Sequence, residues 1–335
     1  MILHASRCLP DRVQVCEVGP RDGLQSEPQP VATADKIRYI ELLAESGLRS
    51  IEVSSFVSPR WVPQLADHAE VLRGLRRRPG VRYVVLVPND KGLDNALAAG
   101  ADAIAVFTGA TETFTRKNIN QSIEESLARF ARIAERAHAA GCWVRGYISC
   151  AFGCPYEGEV APGRVVEIAA RLRGLGCDEI AFGDTIGTAD PVRVGELLGR
   201  LEGVIPLSAV ALHLHDTYGM ALVNVFAALQ YGVRIFDAAS GGLGGCPFAP
   251  GAAGNLATED LLWLLERLGI ETGVDLERVL AASRFIEERL GRTLPGRVLR
   301  ARLSAGSCQP AAAGGTSTGA AAPACPADVQ PCARS

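Results

Sequence analysis

Residues 13–25 read VQVCEVGPRDGLQ. The first half is a short apolar, β-branched run of strand character. The second half is a turn rich in glycine and proline that carries a cation and an anion side by side, Arg21 and Asp22. Many α/β folds open with a strand and a turn, and the turn distinguishes them. A dinucleotide-binding sheet would carry G-x-G-x-x-G here, to bring the backbone close to a pyrophosphate. This turn lacks that pattern. It places charge at the carboxyl end of a strand instead, which is where a barrel builds its site.

Seven further runs of the same kind lie downstream: SIEVS from 50, RYVVLV from 82, AIAVF from 103, WVRGYIS from 143, EIAFG from 179, VALHLH from 210 and RIFDAA from 234. Most are followed by a helical pattern. TADKIRYIELLAESG starts at Thr33 or Asp35 and stops at Gly47. SIEESLARFARIAERAHAAG opens with Ser122 and Glu125 at capping-box spacing and ends at Gly141. ATEDLLWLLERLG closes the series. Such alternation implies a parallel sheet. Eight strand–helix units in a chain of this length favour a closed (β/α)8 TIM barrel over an open doubly wound sheet.

Residues 275 to about 303 read as one extra C-terminal helix plus a basic segment, GRTLPGRVLRARL, so residues 1–304 form the barrel domain with a helical extension. From Ala305 to Ser335 there is no aromatic residue and almost no large aliphatic one. That composition cannot bury enough surface to fold and predicts a disordered low-complexity tail.

The whole chain has 335 residues, 48% apolar and 21% charged, as expected of a globular protein with a substantial core. Its net charge is −3 and its basic residues are scattered, which excludes a nucleic-acid footprint. No run of about 18 apolar residues is present, so no membrane span is expected. The opening MILHASRCLPDR lacks the apolar core of a signal peptide. With no export signal, most of the ten cysteines are expected as thiols in a reducing compartment, and the protein as cytoplasmic. None form the CxxC pairs of a zinc knuckle. Cys150 and Cys154 read as packing rather than metal-binding residues, and no function is read into Cys308, Cys325 and Cys332 of the tail.

The strand ends carry the chemistry. The first delivers Arg21 and Asp22, the second Glu52, the fifth Arg145, Tyr147 and Ser149, the sixth Asp184 and the seventh His213 and His215. After the eighth comes SGGLGGCPFAPGAAGNLATED, with Cys246, Asn255 and Glu259. Charge facing the inside of a barrel is costly without a partner or a task. His213 and His215 stand two apart in a strand and share a face, so both imidazoles reach one ion; the alternative is one ligand and one core histidine. Asp22 and the amide of Asn255 are candidates to complete the set. A nitrogen and oxygen set without thiolate suits Mg2+ or Mn2+, with zinc as the alternative. Glu52, Asp184 and Glu259 are candidates for orienting the ligands or Arg21, or else are ordinary ion pairs at the barrel mouth. Cys246 follows glycines that permit movement. A free thiol has a pKa of about 8.5 and is mostly protonated near neutrality, so Cys246 is a candidate proton donor, or a structural thiol in a tight turn.

EVGPRDGLQ, SSFVSPRWVPQLADHAEVL, TRKNINQSIEESLARF, VRGYISCAFGCPYEGEV, GDTIGTADP, HLHDTYGMALVN and the glycine-rich cysteine loop together resemble the hydroxymethylglutaryl-CoA lyases, from about residue 13 to about residue 290. The Arg-Asp pair and the H-x-H pair are also shared by the wider DRE-TIM metallolyase group. The resemblance implies a TIM barrel that cleaves the acyl-CoA thioester 3-hydroxy-3-methylglutaryl-CoA to acetyl-CoA and acetoacetate, a reaction of leucine degradation and ketone-body type. It implies a divalent metal on Asp22, His213, His215 and Asn255, enolate stabilisation by Arg21, catalytic acid work by Cys246, proton transfer at His213, and a homodimer. Pro28 stands where the animal enzymes tend to carry a lysine, and the tail does not match the family's cysteine-containing C-terminus. A disulfide switch is therefore not carried over to Cys308. The rival readings are a lyase for a bulkier 3-hydroxy-3-alkylglutaryl-CoA, such as the isohexenyl homologue, and a condensing acyl-CoA synthase of the same superfamily. The cysteine loop favours the lyase.

Overall fold

Each of the eight apolar runs is a strand in the computed structural model, which describes residues 9–245 and 253–307. The strands are β1 (Gln14–Glu17), β2 (Ser50–Ser55), β3 (Arg82–Leu86), β4 (Ala103–Gly109), β5 (Trp143–Ser149), β6 (Glu179–Asp184), β7 (Val210–Leu214) and β8 (Ile235–Ala238). They pair in chain order, and β8 returns to pair in parallel with β1, from Gln14↔Ile235 to Glu17↔Ala238. This is a closed parallel (β/α)8 barrel. Closure sets the Arg21–Asp22 turn beside the loop that follows β8.

The helices are α1 (Thr33–Glu45), α2 (His68–Gly74), α3 (Asp90–Ala98), α4 (Glu112–Ile119), α5 (Ile123–Ala139), α6 (Pro162–Gly174), α7 (Pro191–Leu201), α8 (Ala221–Gln230), α9 (Thr258–Arg267), α10 (Leu276–Leu290) and α11 (Arg297–Ser307). The period-2 pattern of the strands sorts their side chains into two cores. Ile51, Val53, Val85, Ile104, Val144, Ile180, Leu212 and Phe236 pack outward against the helices. Cys16, Val84, Ala105, Tyr147, Ala181 and Ile235 fill the barrel interior. Among these inner residues Arg145 is buried and paired on both sides, with Glu179 at 2.8 Å and Asp237 at 2.6 Å. Buried charge persists only when it is paired in this way.

Local signals held where the chemistry is local. Ser122 caps α5: its Oγ accepts from the Glu125 N–H at 3.0 Å, and the Glu125 carboxylate accepts from the Ser122 N–H at 2.7 Å. Helix α1 starts at Thr33, but its cap is Ala32, which offers no side-chain hydrogen bond. The C-terminal extension differs from the sequence expectation. The second half of the basic segment, from Arg297, forms a further helix, α11, while residues 291–296 are not helical. Its first turn is capped by Asp260, which accepts from the N–H groups of Arg297 and Val298, while Arg297 and Arg300 pair with Asp216 and Glu287. This helix runs past residue 304, where the tail was expected to begin. Residues 308–335, which hold most of that expected tail, lie outside the described residues.

Cys150 and Cys154 are buried beside Phe114 and Val160, and Cys154 Sγ lies 3.1 Å from Thr111 Oγ1. Among the described residues, no helix is long and apolar enough to cross a membrane.

Candidate metal centre and active site

The site begins with strand geometry. His213 lies in β7 and His215 just beyond it, and their Nε2 atoms are 3.3 Å apart. His215 forms a backbone bridge with Asn255, and Leu256 N–H donates to the Leu214 carbonyl at 3.1 Å. These bonds lay the far end of the β8 loop across the end of β7. Asn255 is thereby carried to Asp22, 233 residues away in sequence, and its Nδ2 donates to Asp22 Oδ2 at 2.9 Å. The Nε2 of His213 stands 3.9 Å from the same carboxylate oxygen.

Asp22 reaches this point through a tight turn. The Val18 carbonyl accepts from the N–H groups of Arg21, Asp22 and Gly23 at 3.2, 2.8 and 3.3 Å. Gly19 is required at its start, because a Cβ there would come within 2.6 Å of both Glu17 Oε1 and the Tyr39 hydroxyl. The turn aims its two charges differently. Asp22 faces the histidines, and Arg21 is buried between Asp22 and Glu52. Arg21 Nε donates to Glu52 Oε2 at 2.8 Å.

Electrostatics follows from burial and charge. Burial favours the neutral form of Asp22, but Arg21, His213 and His215 outweigh it and hold the carboxyl far below its usual range. Burial and the neighbouring His213 push His215 down to about 4, so it stays neutral. Burial also works against protonation of His213, but the hydrogen bond to Asp237 and the charges of Asp22 and Asp237 raise it on balance. Among the described residues, Asp22, His213 and His215 are the one group of three His, Cys, Asp or Glu side chains whose ligand atoms lie within 4.8 Å of one another.

This donor set fits a divalent cation. His213 Nδ1 lies 3.1 Å from Asp237 Oδ2, so in the neutral ring Nδ1 carries the hydrogen and Nε2 a lone pair. That lone pair points at a neutral imidazole nitrogen and an anionic oxygen. Electron-rich atoms converge there without a proton for each, and a cation between them relieves the repulsion. Asn255 adds a neutral amide beside them.

Two other sequence candidates do different work from that expected. Asp184 touches neither Arg21 nor the histidines with a hydrogen bond. It accepts from the N–H groups of Thr188 and Ala189 at 2.9 and 3.1 Å and so orders the loop after β6. Glu259 accepts from Gly241 N–H at 2.8 Å and from the Ser283 hydroxyl, and so anchors the start of the glycine loop. Cys246 lies outside the described residues.

Sequence reading missed two residues. Asp237 sits within the apolar run RIFDAA, yet it touches His213, Arg145 and Tyr147 at once. Its one signal was an acid inside an apolar strand. Glu17 ends β1 and accepts from Gly19 N–H at 2.9 Å, Ser240 N–H at 2.9 Å and Thr258 Oγ1 at 2.7 Å. It ties the Arg21–Asp22 turn to both stems of the glycine loop.

Comparison with known proteins agrees with this geometry. Residues 12–286 match the family model described as HMGL-like. The chain is 53% identical over 293 residues to the mitochondrial hydroxymethylglutaryl-CoA lyase of Mus musculus, covering 88% of this chain and 90% of that one. The crystal structure of hydroxymethylglutaryl-CoA lyase from Pseudomonas aeruginosa superposes with a TM-score of 0.87 at 48% identity, over 89% of this chain and 99% of that one. An HMG-CoA lyase from Acinetobacter baumannii, solved in complex with coenzyme A and 3-methylmalate, gives a TM-score of 0.83 at 40% identity, over 87% of this chain and 95% of that one. With its barrel, its Asp-His-His cluster and this level of identity, the chain belongs to the HMGL-like family and, within it, to the hydroxymethylglutaryl-CoA lyases.

Proposed function

We infer that this protein cleaves 3-hydroxy-3-methylglutaryl-CoA to acetyl-CoA and acetoacetate. The observation that carries the reading is the divided aim of one turn: Asp22 faces His213, His215 and Asn255, while the adjacent Arg21 is held by Glu52. The substrate makes two matching demands. Its tertiary hydroxyl must lose a proton, and the bond between carbons 2 and 3 must release an acetyl-CoA enolate.

Asp22, His213, His215 and Asn255 would hold a divalent ion, read as Mg2+ or Mn2+, which when bound supplies Lewis acidity toward substrate oxygens. Asp22 or, when its Nε2 is not holding the ion, His213 takes the one proton at the hydroxyl end. Arg21 offers fixed guanidinium donors where charge grows on the thioester oxygen; one such donor is typically worth about 3 kcal/mol. Carbon 2 of the enolate then takes a proton, and the thiol of Cys246 is assigned as its source. Glu52 keeps Arg21 aimed, and Asp184 keeps the β6 loop in place. The coenzyme A bound to the Acinetobacter protein supports an acyl-CoA substrate for this one.

Incubation with the hydroxymethylglutaryl thioester and Mg2+, with and without chelator, tests the reading. Acetoacetate should form only with metal present, and faster than the matching ketone forms from an isohexenylglutaryl thioester. No metal-dependent acetoacetate would overturn it. Cys246→Ser should lose most turnover while retaining metal. The same reading takes the protein as a cytoplasmic homodimer, by analogy with the family for the dimer; light scattering tests that state.

A further inference from the structure

Asp237 lies below the ligand cluster, on the strand that closes the barrel, and nothing in the mechanism above uses it. It is buried. Its Oδ1 accepts from Arg145 Nη2 at 2.6 Å. Its Oδ2 faces His213 Nδ1 at 3.1 Å and the Tyr147 hydroxyl at 3.2 Å. Arg145 is held from behind by Glu179 at 2.8 Å. Glu179, Arg145, Asp237 and His213 therefore form a row inside the barrel, contributed by β6, β5, β8 and β7. Tyr147 completes it, with its ring edge-on to His213 at 6.1 Å between centroids.

We propose that Asp237 is a positioning residue for the metal centre: it fixes His213 as the Nδ1–H tautomer, so that the Nε2 lone pair faces Asp22 and His215. The argument is one of donors and acceptors. An ionised carboxylate only accepts, so the nitrogen facing it carries the hydrogen. A neutral imidazole has one N–H, so the other nitrogen is left as a ligand. Arg145 only donates, so Oδ1 stays with Arg145 and Oδ2 stays with the histidine. The row cannot reverse its polarity. The inference rests on reading His213 as a ligand, but its first test does not.

The near-isosteric variant Asp237→Asn separates positioning from packing. Arg145 still requires an acceptor, so the amide turns its oxygen to Arg145 and its NH2 to His213 Nδ1. The ring is then driven to the Nε2–H tautomer, and its hydrogen occupies the ligand position. The shape of the site is unchanged, so a purely structural role predicts no effect.

The experiment is 15N NMR of histidine-labelled full-length protein without metal, recorded up a pH series until His213 is neutral and its tautomer read there, followed by Mn2+ titration of the same samples. Five histidines are present, and a His213→Asn sample assigns the relevant signals. Wild type should show His213 as Nδ1–H. Asp237→Asn should show Nε2–H and lose about 10- to 100-fold in Mn2+ affinity, as loss of a ligand's supporting hydrogen bond does elsewhere. An Nε2–H signal for His213 in wild type would overturn the proposal, and that measurement stands even where the variant fails to fold. Unchanged Mn2+ affinity in a folded Asp237→Asn would also overturn it. If the tautomer is as stated and no acetoacetate forms, the catalytic reading fails and the positioning role stands.

Discussion

Arg21 and Glu52 meet at a single carboxylate oxygen: Nε donates to Oε2 at 2.8 Å, and Nη2 lies 2.6 Å from the same atom. Glu52 Oε1 is buried with no hydrogen-bond partner among the described residues. The guanidinium is thus gripped along one edge, and its Nη1 is engaged by Asp22. A lysine in its place would keep the charge and lose the planar fork. Arg21→Lys should therefore lower kcat by about 10²- to 10³-fold, the loss seen when one fixed donor to a developing oxyanion is removed. Mn2+ affinity should fall by less, about 10- to 100-fold at most, because Arg21 supports the ligand Asp22 but is not itself in the ligand set. Steady-state cleavage and Mn2+ titration check the two halves together.

Metal should stabilise the fold through Asp22, His213 and His215. Ligand at 100 times its dissociation constant contributes about 2.7 kcal/mol to a protein that binds it only when folded. Wild type should show a clear rise in Tm with Mn2+. His215→Ala should lose most of that rise, since it removes one of the two imidazoles. A full metal-induced shift in His215→Ala, measured by differential scanning fluorimetry, would take His215 out of the centre.

Glu17 links pH to stability. Burial, opposed by its hydrogen bonds to Ser240, Thr258 and Gly19, pushes its carboxyl up to about 7 from an ordinary 4.5. The folded state therefore binds the proton more readily than the unfolded chain. This term adds stability at pH below about 4.5 and is lost as pH rises through about 7. Glu17→Gln cannot ionise and can still satisfy the same three partners, with Thr258 turning its hydroxyl to accept. The stability of the variant relative to wild type should rise between pH 5 and pH 8, by about a kcal/mol or more for each pKa unit of difference. Urea denaturation at those two values reads it, and a difference independent of pH would refute it.

Ser122 tests the local code apart from the site. Ser122→Ala removes one half of the capping box on α5 and should cost about 1 kcal/mol of stability. Cleavage activity should not change. Denaturant midpoints and turnover of the same preparation measure both.

How much was legible divides along the range of the interactions. The strands, the helix cap at Ser122 and the shared face of His213 and His215 depend on neighbours within a few residues. Period-2 alternation and a three-residue capping spacing are written directly into the chain. Arg21 and Asp22 could be nominated because charge beside a strand end has few bland explanations. The extent of α11 was less legible. Its basic stretch is helical because Asp260, Asp216 and Glu287, between 13 and 81 residues from their partners, cap it and pair with it.

The roles of Asp237, Glu17, Asp184 and Glu259 could not be assigned from the chain alone. Each is one carboxylate in an apolar or glycine-rich stretch, and its partners decide its role. Asp184 ended on loop amides and Glu259 on the glycine loop, although their sequence context suggested the metal site. By itself the sequence determined the barrel, its alternation and the residue types at its mouth, because these follow from local periodicity. Only the tertiary structure decided which acid holds which base. Pairing of β8 with β1 joins Glu17 to Ser240 and Thr258 across more than 200 residues, and adjacent strands β7 and β8 set Asp237 against His213. Contacts made by barrel closure leave no spacing in the sequence to read.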